Sequence, residues 1–226
     1  GLICVVSRDA MRYLDTCETI NMLVYEGVEA KRFLPYWWSP VTALSDMMEI
    51  AFACENGKII TTEAFSRPFY RNFRGVDGEV ELVEHAHDEP VYMGLNAREF
   101  FKGAKNIYFK YGGVGVEFAR PLYRAGLLSK KSVEVDGNLV VPFNLVLKHV
   151  PPAPKYKEEV QEILDEGLIS DTGAMVVEAI GIKDGKKVMV ETYVMAPGLV
   201  ESFERSGLTA EMYITGQSGS LFTKMF

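Results

Sequence analysis

The chain has 226 residues, 48% hydrophobic and 12% aromatic, with a formal net charge of −7. That length and apolar content sustain a sizeable core and exclude wholesale disorder. The acidic balance argues against nucleic acid as the main partner, because neutralising phosphates requires a basic face.

In chain order, residues 9–26 place Met11, Leu14, Ile20, Leu23 and Val24 at helical spacing and stop before Gly27. This predicts a helix with a glycine C-cap, so that 1–27 forms an N-terminal helical segment. "VEAKRFLPYWW" reads as a strand, and Ser39 with Pro40 opens a helix, "VTALSDMMEIAFAC", that runs to the Asn56-Gly57 turn. That dipeptide suits a hairpin or a C-cap, and "IITTEAF" follows as a β-branched strand. "RPFYRNFRGVDG" reads as an irregular loop, and "EVELVEHAH" as a strand ending at Asp88-Glu89-Pro90. "NIYFKY" is a strand and "VEFARPLYRAGLL" a helix, in which Pro121 belongs to the first turns or to a kink.

"VEVDGNLVV" predicts a small hairpin at Asp136-Gly137, and prolines stop the short helix in "VPFNLVLKHVPPAP". "KEEVQEILDEG" is an amphipathic helix ending at Gly167. The strongest hairpin signal is "AMVVEAIGIKDGKKVMVETYVM", whose β-rich arms flank Asp184-Gly185. Strands separated by helices, together with antiparallel hairpins, give an α+β fold: one mixed sheet with helices on one face, in a single domain over 1–226.

Four motifs invite chemistry. Gly112, Gly113 and Gly115 follow a strand and open a helix, but Phe118 stands where a dinucleotide fingerprint needs its third glycine, and no Gly-Lys-Ser/Thr follows. A turn needing positive φ or close backbone approach accounts for them better. In "HAHD", His85 and His87 share a strand face, a spacing able to bind metal, yet the third histidine, His149, lies far off. A substrate-pocket histidine or a solvated strand end fits that motif more readily. Arg67, Arg71 and Arg74 sit among aromatic residues, suited either to carboxylates or to stacking on an ordinary surface loop. Thr215, Gly216, Ser218, Gly219 and Ser220 open the last helix-like run, where small residues permit close approach to a ligand or tight packing. No metal site is assigned.

Cys4, Cys17 and Cys54 are odd in number and not in CxxC spacing, which favours a reducing compartment, the cytoplasm, over a disulfide framework. No apolar run has the length of a membrane span, so no membrane partner is expected. The first residue is not methionine and the last run stops without a cap, so the chain reads as a piece of a longer protein.

The order of these elements resembles the C-terminal, substrate-binding domain of the saccharopine dehydrogenase-like family, loosely from residue 28 to the end. "NIYFKYGGVGVEFARPLYRAGLL", "VEVDGNLVVP", the Asp184-Gly185 hairpin and "SGLTAEMYITGQSGSLF" carry the resemblance. It implies a mainly antiparallel sheet like that of the glyceraldehyde-3-phosphate dehydrogenase catalytic domain. It also implies NAD or NADP held mainly by a Rossmann domain outside this chain, an amino-acid-like or amine substrate, and a homodimer formed sheet to sheet. The implied reaction is hydride transfer at a carbon–nitrogen bond, in the setting of amino-acid and lysine metabolism.

In saccharopine reductases an arginine near a strand end and a Thr-Leu-Arg tripeptide before a Tyr-x-Gly turn hold substrate carboxylates. The matching positions here are His87 for the first and Tyr108, Phe109 and Lys110 for the tripeptide, with Tyr111 and Gly113 retained. Both arginines are thus replaced, and the family's Gly-x-x-Pro-Gly and Cys-Gly-Gly turns are missing. A smaller or less anionic substrate than saccharopine is expected, with His87 and Lys110 as polar anchors. The replaced arginines leave a second possibility: a non-catalytic ligand-binding or dimerisation module that kept the fold.

Overall fold

A computed structural model describes residues 2–210 and 212–213. The small residues Thr215, Gly216, Ser218, Gly219 and Ser220 lie outside these. The elements run α1 (Leu2–Met11), β1 (Thr16–Glu26), β2 (Glu29–Ala30), α2 (Pro40–Asp46), β3 (Ala51–Glu55), β4 (Lys58–Thr62), β5 (Phe69–Asn72) and β6 (Glu79–Glu84). They continue with α3 (Glu89–Leu95), α4 (Ala97–Phe100), β7 (Asn106–Gly113), α5 (Val114–Arg124), β8 (Val133–Val135), β9 (Asn138–Val140) and α6 (Pro142–His149). The last are α7 (Lys157–Glu166), β10 (Leu168–Ser170), β11 (Gly173–Lys183), β12 (Lys186–Met195) and α8 (Leu199–Ser206).

The chain forms two compact units, the first built from Gly1–Tyr25, Glu49–Gly112 and Gly173–Ala196. Its sheet has the order β12-β11-β1-β7-β3-β4, and β6 joins β7 on the same side as β3 and pairs in turn with β5. The β11–β12, β3–β4, β3–β7, β5–β6 and β6–β7 pairings are antiparallel. β1 and β7 run in the same direction: Lys105 N–H donates to the Glu18 carbonyl near their starts, and Gly113 lies against Glu26 at their ends. The sheet is therefore mixed and mainly antiparallel, as expected.

Helix α1 packs on β11 and β12, and α3 on β3 and β4. Ile3, Val6 and Met11 of α1 join Ile20, Met22, Ile107, Phe109, Val177 and Ala179 of the sheet in one core. Each such large side chain contributes about 1.5–3 kcal/mol on full burial. On the opposite face a smaller cluster gathers Leu23, Leu82, Ala174 and Val176 under Phe73, with Phe69 of β5 against it.

Three Asx-Gly pairs form the hairpin turns. Asn56 and Gly57 (φ 51° and 76°), Asp136 and Gly137 (49° and 79°) and Asp184 and Gly185 (49° and 73°) all take the two positive φ values of a type I′ turn. The last closes β11 onto β12 in unbroken register from Lys183↔Lys186 to Ala174↔Met195.

The helix expected over 9–26 is not formed. Helix α1 stops at Met11 and residues 16–26 are strand β1. β1 lies between β11 and β7 with Ile20, Met22 and Leu23 all buried, so its apolar residues face both sides and show no alternation. The helix predicted to reach Cys54 likewise ends at Asp46 under its Ser39 cap. Ala51, Ala53 and Cys54, all at 0% exposure, belong to β3 instead. Of "VEAKRFLPYWW" only Glu29–Ala30 pairs as strand, whereas "RPFYRNFRG" contains β5. Pro121 lies inside α5, which continues to Arg124.

The second unit comprises Glu26–Met48, Gly113–Thr172 and Pro197–Phe226. Val28, Ala30, Leu34, Trp37, Val160, Ile163 and Leu199 form its core. Two of the aromatic residues of its irregular segment are anchored by their polar tips. Trp37 Nε1 donates to the Val28 carbonyl at 2.9 Å and Tyr36 hydroxyl to the Gly115 carbonyl at 3.1 Å. Helix α7 opens with Glu159 accepting from the Lys155 and Tyr156 amides and ends at Gly167, as its sequence predicts. Among the described residues no helix is long and apolar enough to cross a membrane.

Candidate functional site

Side chains alternate across a strand, so consecutive residues of β7 cannot face one ligand. Tyr108 and Lys110 point to one face of the sheet, and Phe109 and Tyr111 to the face covered by α1 and α3. The candidate residues therefore separate into two groups.

On the first face Lys110 is opposite Glu84 of β6 in the antiparallel register, and their side chains meet. Lys110 Nζ donates to Glu84 Oε1 at 2.9 Å and to the Arg67 carbonyl at 2.7 Å. The Lys110 side chain is 11% exposed and that of Glu84 0%. Tyr108 hydroxyl reaches Glu55 Oε1 at 3.4 Å, and the Arg67 guanidinium pairs with the same oxygen at 2.5 Å. Burial, and then the Glu55 charge, hold the Tyr108 phenol above its ordinary value. Such pairs survive burial only when the geometry is good, because each ion gives up its hydration.

On the helix-covered face His87 stacks on Phe109, with ring centroids 3.7 Å apart. Its Nδ1 lies 2.7 Å from Glu89 Oε2 at the start of α3. Burial pushes the Glu89 carboxyl up, but the His87 hydrogen bond and charge outweigh it and hold Glu89 down at about 2. An ionised Glu89 accepts only, so Nδ1 of His87 is the donor in this hydrogen bond. His85 lies between, 5.1 Å from the Tyr111 ring and 5.3 Å from that of His87. It is 5% exposed, and neither ring nitrogen makes a well-directed hydrogen bond. Burial, reinforced by His87 and only partly offset by the Ala86 backbone, lowers its pKa to about 3. His85 is thus kept neutral. Among the described residues no group of three His, Cys, Asp or Glu side chains is placed to hold a metal ion.

The glycines have packing explanations. A Cβ on Gly112 would come within 2.4 Å of the Glu81 carbonyl oxygen, and one on Gly113 within 1.9 Å of the Glu26 carbonyl oxygen. Gly113 also sits at φ 115°, which side chains rarely tolerate. Close backbone approach requires these residues.

The arginines are engaged within the fold. Arg67 pairs with Glu55, and Arg71 bridges Glu178 at 3.0 Å and Glu191 at 2.9 Å. Arg74 lies 3.6 Å from Glu191 and over the Tyr193 ring. Sequence reasoning missed Glu84 and Glu55, because their place beside Lys110 and Tyr108 follows from strand register, for which no local pattern codes. It also missed Glu89, whose spacing from His87 was visible in "HDE".

No protein-family model matches the sequence, and no curated protein matches it. The structure is similar to that of apo histidine-tagged saccharopine dehydrogenase (L-Glu forming) from Saccharomyces cerevisiae, with a TM-score of 0.50 and 11% sequence identity. The likeness covers 95% of this chain and 63% of that one, so the chain spans less than two thirds of that enzyme's length. At this identity the likeness is one of fold alone: a mixed α+β arrangement with a mainly antiparallel sheet.

Proposed function

We propose that this chain is the substrate-binding part of an NAD(P)-dependent oxidoreductase that acts on a carbon–nitrogen bond of an amino-acid-derived amine or imine. The observation that carries the reading is the fold likeness to saccharopine dehydrogenase over 95% of the chain. The nicotinamide, held mainly by a Rossmann domain outside this chain, supplies the hydride chemistry. This chain's residues bind and orient the substrate.

Lys110 anchors a carboxylate on one face, with Tyr108 beside it. His87, held by Glu89 and stacked on Phe109, lies on the other face with Tyr111 and does not share a ligand bound at Lys110. Gly113 shapes the strand end. A homodimer, a cytoplasmic setting suited to three free thiols and the absence of nucleic-acid or membrane partners belong to the same proposal.

The test is NADH or NADPH oxidation by the intact gene product, supplied with panels of amino acids and oxo acids. Cofactor-dependent turnover with at least one pair is expected. No turnover with any pair would favour the second reading, a non-catalytic ligand-binding or dimerisation module. That reading draws on the internal pairing of Arg67, Arg71 and Arg74, which leaves none of the three committed to a ligand.

A further inference from the structure

Glu84 is shut off from solvent with half of its bonding capacity unused. Oε1 holds Lys110, while Oε2 is buried and meets no hydrogen-bond partner among the described residues. A buried carboxylate oxygen without a donor bears its desolvation cost uncompensated, which native structures seldom tolerate without a reason. Lys110 shows the complementary deficit. An ammonium has three hydrogens, and the contacts of Lys110 engage Glu84 and the Arg67 carbonyl, leaving one without a partner among the described residues.

The loop that supplies the Arg67 carbonyl is itself conformationally strained. Phe65 and Arg67 have φ of 58° and 49°, a region that residues other than glycine rarely adopt. The loop is held by the Glu84 N–H donating to the Ser66 carbonyl at 3.1 Å and by Lys110 itself. The two groups with spare capacity thus also fasten the segment that covers them.

The geometry points to Glu84 and Lys110 as a two-ended reader of a zwitterionic amino-acid head group. Glu84 Oε2 accepts from the α-ammonium, and the remaining Lys110 N–H donates to the α-carboxylate. The free acceptor belongs to the same carboxylate whose other oxygen Lys110 Nζ bonds at 2.9 Å, so acceptor and donor stand on adjacent groups, as two charges on a single carbon require. This rests on the amino-acid-derived substrate proposed above and adds the residue that recognises its nitrogen. Glu84 is a specificity-determining residue, and it is not one of the positions matched to the family's carboxylate-binding arginines.

Isothermal titration of the intact protein with matched ligands tests this. The two sets are L-lysine with cadaverine and 6-aminohexanoate, and L-glutamate with 4-aminobutyrate and glutarate. In at least one set the amino acid binds about tenfold or more tightly than either truncated ligand, as charge-assisted bonds at both ends require. Glu84→Gln abolishes the advantage of the amino acid over the ligand lacking the α-amine. Equal binding of intact and truncated ligands, or binding of none, would overturn the inference and leave Oε2 with a buried water only. The wild-type series decides the matter even where Glu84→Gln does not fold. Hydride transfer with no dependence on Glu84 would sink this inference and spare the oxidoreductase reading. Amino-acid binding through Glu84 without hydride transfer would do the reverse.

Discussion

The two faces of the sheet at β7 deal with buried polarity in opposite ways. On one, Lys110 and Glu84 enter the interior as charges and offset each other at 2.9 Å. On the other, His85 makes no well-directed side-chain hydrogen bond among the described residues and stays uncharged among His87, Phe109 and Tyr111. A charge that cannot change its protonation cheaply must find a counter-ion, whereas a histidine escapes by releasing its proton. The first face is thus held by an internal ion pair, and the second responds to pH.

The largest effect should come from breaking the pair. Lys110→Met or Glu84→Leu alone leaves an uncompensated buried charge and should cost about 3–5 kcal/mol, whereas the double replacement should recover most of that loss. Urea denaturation of the three variants measures both numbers. Additive losses would show that the two residues do not act as a pair.

The second effect separates the faces by pH. His85 has a folded pKa of about 3 against an ordinary 6.5, so between these values the unfolded chain binds a proton that the folded chain refuses. Stability should fall as pH drops from 6.5 towards 3, by up to about 1.4 kcal/mol per pH unit, and should be insensitive to this group above 6.5. His85→Phe should flatten that slope in denaturation measured at several pH values. An unchanged slope would place the titration elsewhere. The Glu89–His87 contact loses its contribution in a lower window, as Glu89 protonates between its ordinary 4.5 and about 2.

A smaller change is expected from Glu89→Leu, which removes the acceptor that fixes the His87 ring. NMR of the His87 ring should show its Nδ1–H exchanging faster with water than in wild type, since the hydrogen bond that protects it is gone. The smallest effect belongs to Arg67→Ala. Its pair with Glu55 is 42% and 31% exposed, so its loss should cost no more than about 1 kcal/mol. A larger loss would mean that the side chain, and not only the Arg67 carbonyl, holds the loop over Lys110.

Much of the fold could be read locally. Asp184-Gly185 and Asp136-Gly137 announce hairpins because the turn chemistry is contained in two residues, and Gly167 ends α7 for a similar reason. β1 was illegible because an interior strand buried on both faces carries no alternation, and Met11, Leu14 and Ile20 mimic a helical stripe across the true junction at Met11. The candidate site was legible only as a list. "YFKY" shows that Lys110 and Tyr111 are neighbours in sequence, but strand geometry sets them on opposite faces. Glu84, 26 residues away, becomes the partner of Lys110 only through register.

Steady-state kinetics of the Lys110→Ala variant, in the intact protein with cofactor and an amino-acid-derived substrate, tests the central claim most directly. If this chain binds that substrate through Lys110, KM should rise severalfold or more as the carboxylate loses its anchor. Unchanged KM and kcat would contradict the assignment and remove Lys110 from the site.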